Sequence, residues 1–265
     1  MMGGEPMAKL SKAQLKAHGR ALDLLAQDRL TEEEREFVFD NWQESANHVN
    51  SAAGAFFTPL DMAWTFELEV GGPRILDLCA GIGVLSYAVY HRRCWANSEA
   101  APQITCIEIN PDYAAVGRKL LPEATWIVAD SMSELDIGRY DWVISNPPFG
   151  KLNGHGDFDL AIVERAERYA DNGTFILPAG SVPWSYSGRN FFEPDSRSEK
   201  AKRFRDRTKI DLTPNCGIDC SVWEKDWRGA SPKVEIALAD YAKARAARSL
   251  HVANDDQPDL FGRAA

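Results

Sequence analysis

The residues with the most chemical content are Asn146-Pro147-Pro148-Phe149, which follow directly on the apolar run Trp142-Val-Ile-Ser145. Two successive prolines stiffen the backbone and leave nearby carbonyls without competing local donors. An exocyclic amine on a base or an amide is a weak nucleophile, because its lone pair is delocalised into the ring or carbonyl. Attack on an electron-poor methyl requires that nitrogen to move toward tetrahedral geometry. The side-chain oxygen of Asn146 and the carbonyl of Pro147 can accept the two amine hydrogens and hold the lone pair in line, which is alignment more than acid–base catalysis. Phe149 can stack on a planar substrate.

A second constellation consists of acids that end apolar runs. Ile75-Leu-Asp-Leu-Cys-Ala-Gly-Ile-Gly-Val84 carries Asp77, then a turn with Gly81 and Gly83 where a ligand can approach the backbone. It is not the full dinucleotide pattern, since Ser86 holds the third glycine place, although a nicotinamide-dinucleotide enzyme could show something similar. Glu108 ends the run Ile104-Thr-Cys-Ile-Glu108, where a carboxylate can accept both hydroxyls of a ribose. Ala129-Asp130-Ser131 ends a third run. An acid-rimmed crevice repels phosphate and suits a ligand with a sulfonium, an amino group, a ribose and a purine amine.

The elements that must position these groups alternate in type. Short apolar runs at Arg74–Leu78, Gln103–Glu108, Thr125–Ala129, Trp142–Ser145 and Thr174–Leu177 predict strands, and helices are expected to start near Gly83, Asp112 and Phe158. That alternation is the pattern of a parallel sheet. Ile218–Trp223 and Lys233–Tyr241 are expected to pair as an antiparallel hairpin closing the sheet. Upstream, Leu15, Leu22, Leu25, Leu30, Phe37, Val38 and Trp42 at helical spacing predict two helices, the second capped by Thr31, and a further helix is expected from Leu60. The expected organisation is a helical N-terminal extension (1–53), a catalytic domain (54–245) with a substrate-reading insertion at 179–228, and a flexible tail (246–265).

Taken together, these motifs resemble the class I S-adenosylmethionine-dependent methyltransferases over roughly Gly54 to Leu177. The resemblance implies a Rossmann-like α/β fold with a mostly parallel seven-stranded sheet, and S-adenosyl-L-methionine as cofactor. It also implies that Asp77, Gly81 and Gly83 line the methionine moiety, Glu108 the ribose, and Asp130 with Ser131 the adenine, with Ala80 and Ile109 among the cofactor-binding residues. Gly54-Ala-Phe-Phe-Thr-Pro59 resembles the GxFYTP element of a subset of DNA adenine methyltransferases, with Phe in place of the commoner Tyr; Phe57, Thr58 and Pro59 would close over the cofactor. Asn146-Pro147-Pro148-Phe149 resembles the (N/D/S)PP(Y/F/W) motif of amino-methyltransferases, which act on N6 of adenine, N4 of cytosine or a protein glutamine amide. No metal is expected, because a sulfonium is already an activated electrophile.

The order of these motifs matches adenine-N6 enzymes of DNA that carry their target-reading region last. That region here holds Trp184, Tyr186, Phe191, Phe192, Trp223 and Trp227, and a basic run with Arg197, Lys202, Arg203 and Arg205. Aromatics beside cations are what a base-flipping enzyme uses, so Trp184 and those four cations are the candidate substrate-binding residues. RNA adenine or guanine amino-methylation and protein glutamine methylation are the alternatives. The net charge of −9 excludes bulk coating of nucleic acid. The five cysteines form no paired metal spacing. With no long apolar run, a cytoplasmic protein without membrane contact is expected. Gln257-Pro-Asp-Leu260-Phe261 resembles the QxxLF peptide by which bacterial DNA-processing proteins dock on the replication sliding clamp.

Overall fold

The computed structural model describes residues 11–43, 56–96, 101–149, 157–194, 198–228 and 231–255. Helices α1 (Lys12–Leu25) and α2 (Glu32–Asn41) each begin with a capping box, Ser11 with Gln14 and Thr31 with Glu34. In each, the cap hydroxyl and the side chain three residues on satisfy backbone N–H groups that the helix leaves open. Helix α3 (Leu60–Phe66) leads into the alternating core: β1 (Arg74–Leu78), α4 (Val84–Ala96), β2 (Gln103–Glu108), α5 (Pro111–Leu120), β3 (Thr125–Val128), β4 (Trp142–Ser145), α6 (Phe158–Ala166) and β5 (Asn172–Pro178). A two-stranded ribbon, β6 (Trp184–Ser185) with β7 (Glu193–Pro194), helix α7 (Glu199–Thr208), β8 (Leu212–Pro214), β9 (Val234–Asp240) and α8 (Tyr241–Asp255) complete it.

The seven-stranded sheet has the order β3-β2-β1-β4-β5-β9-β8. Its first five strands are parallel; β9 runs antiparallel to β5 and to β8. The sheet is buried on both faces, and successive residues serve opposite layers. Ile75, Ile104, Cys106 and Ile144 pack with the layer of α1 to α5, and Leu76, Leu78, Ile107 and Val143 with that of α6 to α8. Ala21, Leu24, Val38, Phe39 and Trp42 belong to the first layer, so the N-terminal helices share the domain core.

Three expectations need correction. The partner of β9 is Leu212–Pro214, because Ile218–Trp223 turns tightly around Asn215 and Asp219. The Asn215 carboxamide oxygen accepts the N–H of Gly217 and Ile218, and Asp219 accepts that of Ser221. Pro214 is tolerated at a sheet edge, where no ladder donor is required. Second, residues 246–255 continue helix α8 instead of forming a loose tail; Arg245 pairs with Asp171, and Arg248 with Glu167 and the Thr208 carbonyl. Third, Trp184 is a core side chain packed in the layer of α6 to α8, and it does not line the cavity at the strand ends described below. Arg197 and the Gln257-Leu260-Phe261 segment lie outside the described residues. Among the described residues, no helix is long and apolar enough to cross a membrane.

The close α5–β3 packing gives a stability test. A Cβ on Gly117 would lie 2.1 Å from the buried Trp126 ring. Overpacking of this kind typically costs about 1–3 kcal/mol. Gly117→Ala is expected to lower the denaturant midpoint correspondingly, and an unchanged midpoint would show that Trp126 can move aside.

Candidate functional site

At the carboxyl ends of the parallel strands, where β1 lies between β2 and β4, the strand order reverses. Such switch points leave a crevice between the helices on either face. A cavity of about 380 Å³ sits there, within the range of small-molecule sites. Asp77 and Cys79, Glu108 and Ile109, Asp130 and Ser131, and Asn146 and Pro148 line it from four successive strand ends. Phe57 and Thr58 line it from the segment before α3.

Ser86, which interrupts the glycine pattern, has a definite task. Its hydroxyl donates to Asp77 Oδ2 at 2.7 Å. The other oxygen, Oδ1, is buried without a partner. Burial pushes the Asp77 carboxyl up to about 7, with the Ser86 hydrogen bond opposing and Glu108 reinforcing the rise. The loop after β1 is tight: Cys79 has φ 59° and Gly81 φ 59°. A Cβ at Gly81 would also meet the Phe57 ring at 3.0 Å, so glycine lets that ring close against the loop while Gly81 stays on the cavity wall. The Cys79 thiol is pushed up to about 12 by burial, and its N–H donates to Ser131 Oγ at 3.2 Å. It is thus a neutral wall of the cavity, and Ser131 holds the strained turn.

Glu108 organises two loops at once. Oε2 accepts the Gly81 N–H at 2.7 Å and Oε1 the Asn110 N–H at 2.8 Å. Burial raises its carboxyl above the usual range while these amides oppose the rise. Each oxygen retains a further lone pair for a ligand hydroxyl. Glu108→Gln substitutes one of those oxygens by a donor and sets it against an amide. We expect about ten- to hundredfold weaker ligand binding by calorimetry, the scale of a charged hydrogen bond; affinity equal to wild type would remove Glu108 from the site. Asp130 makes a turn, its Oδ1 accepting the Met132 N–H at 2.8 Å.

Asn146 is fixed in one orientation. Its Nδ2 donates to the Phe56 carbonyl at 2.8 Å and to Thr58 Oγ1 at 3.0 Å, while Oδ1 is buried without a partner. Because the amide nitrogen is engaged by two acceptors, the oxygen must be the atom left for a substrate donor. Phe149 packs between Phe56 (6.0 Å between ring centroids) and Trp227 (6.4 Å).

Pro59, Gly83, Pro147 and Phe149 do not line the cavity itself. Gly83, at φ 89°, lets the Trp126 ring pack, since a Cβ there would lie 2.9 Å from it. Ala80 is on the wall with Gly81. Lys202 and Arg205 border a separate groove with Pro183 and Pro194, and Arg203 is exposed on the same helix. Other cations of α7 are engaged within the fold: Lys200 on buried Asp159 at 2.7 Å, and Arg207 on Glu164 at 2.7 Å. Sequence reasoning missed Phe56, Cys79, Val84, Leu85, Asn110, Tyr113 and Phe158 as cavity walls. Only Asn110, as a helix cap before Pro111, carried a local signal.

The methyltransferase small domain family matches residues 45–179. No curated protein matches the sequence. Among solved structures, a class I S-adenosylmethionine-dependent methyltransferase from Listeria monocytogenes superposes with TM-score 0.54 at 13% identity, over 82% of this chain and 69% of its own. A type I restriction enzyme modification subunit from Vibrio vulnificus superposes with TM-score 0.53 at 13% identity, over 82% of this chain. This chain spans about half the length of that subunit, 51%. At such identities the likeness is one of fold.

Proposed function

The chain belongs to the methyltransferase small domain family, and on that premise we propose that it methylates an exocyclic amine, N6 of adenine in DNA, by direct transfer from S-adenosyl-L-methionine. The observation that carries the choice of an amine is Asn146, an acceptor buried without a partner and held in place through its own amide nitrogen. The cofactor fits the residues present: Asp77 offers an unpartnered buried oxygen for an ammonium group, Gly81 a cavity wall without a side chain, and Glu108 spare lone pairs for hydroxyls. When bound, the cofactor supplies a methyl on a positively charged sulfur.

The chain's own residues then act on the amine. Asn146 Oδ1 and the Pro147 carbonyl accept its two hydrogens, which draws the nitrogen lone pair out of conjugation and points it along the line of transfer. Phe149 and Phe56, 6.0 Å apart between centroids, provide an aromatic surface for the base. Thr58 and the Phe56 carbonyl keep the Asn146 carboxamide from rotating. Support for DNA comes from the order of the motifs and from the fold shared with a restriction modification subunit. Lys202, Arg203 and Arg205 on α7 are the cations we assign to phosphate.

The test is methyl transfer from labelled cofactor to duplex DNA, ribosomal RNA and peptide-release factors in separate reactions. Label in DNA as N6-methyladenine is the expected result. Label confined to RNA or to a glutamine side chain would move the assignment to that substrate.

A further inference from the structure

Two buried polar atoms beside the reaction centre, Asp77 Oδ1 and Asn146 Oδ1, lack partners and are absorbed by the reading above; a third, the indole Nε1 of Trp227, is not. An indole N–H is a donor only, and buried donors in native proteins are almost always satisfied. Trp227 is 5% exposed, and its ring lies 6.4 Å from that of Phe149 at an angle of 55°. Its neighbour Arg228 donates to the Phe39 and Trp42 carbonyls at the end of α2 and lies over the Phe57 ring, 5.8 Å from its centroid. The part of the insertion that reaches the catalytic asparagine loop is therefore Trp227-Arg228, pinned by Arg228. Helix α7 is held to the fold by Lys200 on Asp159 and Arg207 on Glu164, so its other cations, Lys202, Arg203 and Arg205, keep the phosphate role proposed above, and contact with the base falls to the Trp227 end of the insertion.

We infer that Trp227 is a specificity-determining residue, whose indole N–H donates to a ring nitrogen of the base stacked at Phe149 while the exocyclic amine of that base is held by Asn146. This rests on the nucleobase reading proposed above. A purine amine carries ring nitrogens on either side, so an acceptor lies within the same ring system as the reacting group. The chemistry favours a base with an unprotonated nitrogen near its amine and rejects one with carbon at that place, since the indole N–H would then stay unpaired.

The experiment compares wild type and Trp227→Phe on duplexes carrying adenine, 1-deazaadenine or 7-deazaadenine at the methylated position, with cofactor affinity measured on both proteins. We expect unchanged cofactor affinity, kcat/KM on adenine about tenfold or more lower in Trp227→Phe, and one deaza analogue that slows wild type by a similar factor without further slowing the variant. Equal rates for wild type and variant on adenine, or losses that multiply for both analogues, would overturn the contact alone. The wild-type comparison needs no variant: undiminished rates on both analogues also overturn the contact. A wild type that methylates no adenine in DNA or RNA overturns the function reading and this contact with it.

Discussion

Asn146→Ala is expected to lower methyl transfer by about 10²–10³-fold or more while leaving cofactor binding within a few-fold, measured by label transfer and calorimetry on the same preparation. The magnitude is that of removing one preorganised hydrogen-bond partner from a transition state. On the proposed reading, alignment accounts for the selectivity of the effect: the carboxamide oxygen would meet the amine, and Asp77 and Glu108, which line the same cavity from other strands, would meet the cofactor. Thr58→Val separates orientation from contact. It leaves Asn146 Oδ1 in place but removes one of the two acceptors that hold Nδ2, and should reduce kcat by about tenfold, with the remaining bond to the Phe56 carbonyl preserving part of the alignment. Turnover by Asn146→Ala equal to wild type would exclude Asn146 from amine recognition and return the motif to a structural turn.

The sheet and the acid-ended strands were legible because they depend on local pattern. A buried parallel strand must be a short apolar run, and Arg74–Leu78, Gln103–Glu108 and Trp142–Ser145 are such runs with the bounds expected. The edge strand was not legible. Leu212-Thr-Pro214 has one buried residue, while Ile218–Trp223 is more apolar and is used to pack a turn whose donors are met by Asn215 and Asp219. Long-range pairing hid the fate of the basic run as well. Lys200 meets Asp159 and Arg207 meets Glu164 across more than 40 positions, so charge density along the chain overstated the cations available to a ligand. Trp184 illustrates the same limit: an aromatic in an irregular stretch reads as exposed until its neighbours show that it is core. Glu235 in β9, buried and accepting the N–H groups of Tyr186 and Ser187 and the Ser187 hydroxyl, ties that stretch to the sheet, and nothing in its local sequence indicates it.

Asp77 should set the pH dependence of cofactor binding and be strained by its own role. Its carboxyl titrates at about 7 in the ligand-free fold, because burial penalises the charge. A cationic ligand needs the carboxylate, so below pH 7 binding must release a proton and the dissociation constant rises toward tenfold per pH unit. Affinity is expected to be about tenfold weaker at pH 6 than at pH 8. The effect on stability has the opposite sense. The folded value near 7 lies above the ordinary 3.8, so between them the ligand-free fold holds a proton that the unfolded chain has lost. This group's contribution to stability is therefore greatest below about pH 4 and declines as pH rises to 7. Asp77→Asn keeps an acceptor for the Ser86 hydroxyl and removes the charge. It should abolish the pH dependence, weaken cofactor binding by about a hundredfold through loss of a buried ion pair, and raise the ligand-free Tm at pH 8, by roughly 2–4 °C per kcal/mol of relieved burial. A variant that binds cofactor as tightly as wild type would remove the ammonium contact. One that melts lower at pH 8 would show that Asp77 enters the fold already compensated, with its charge held by the protein and not reserved for the ligand.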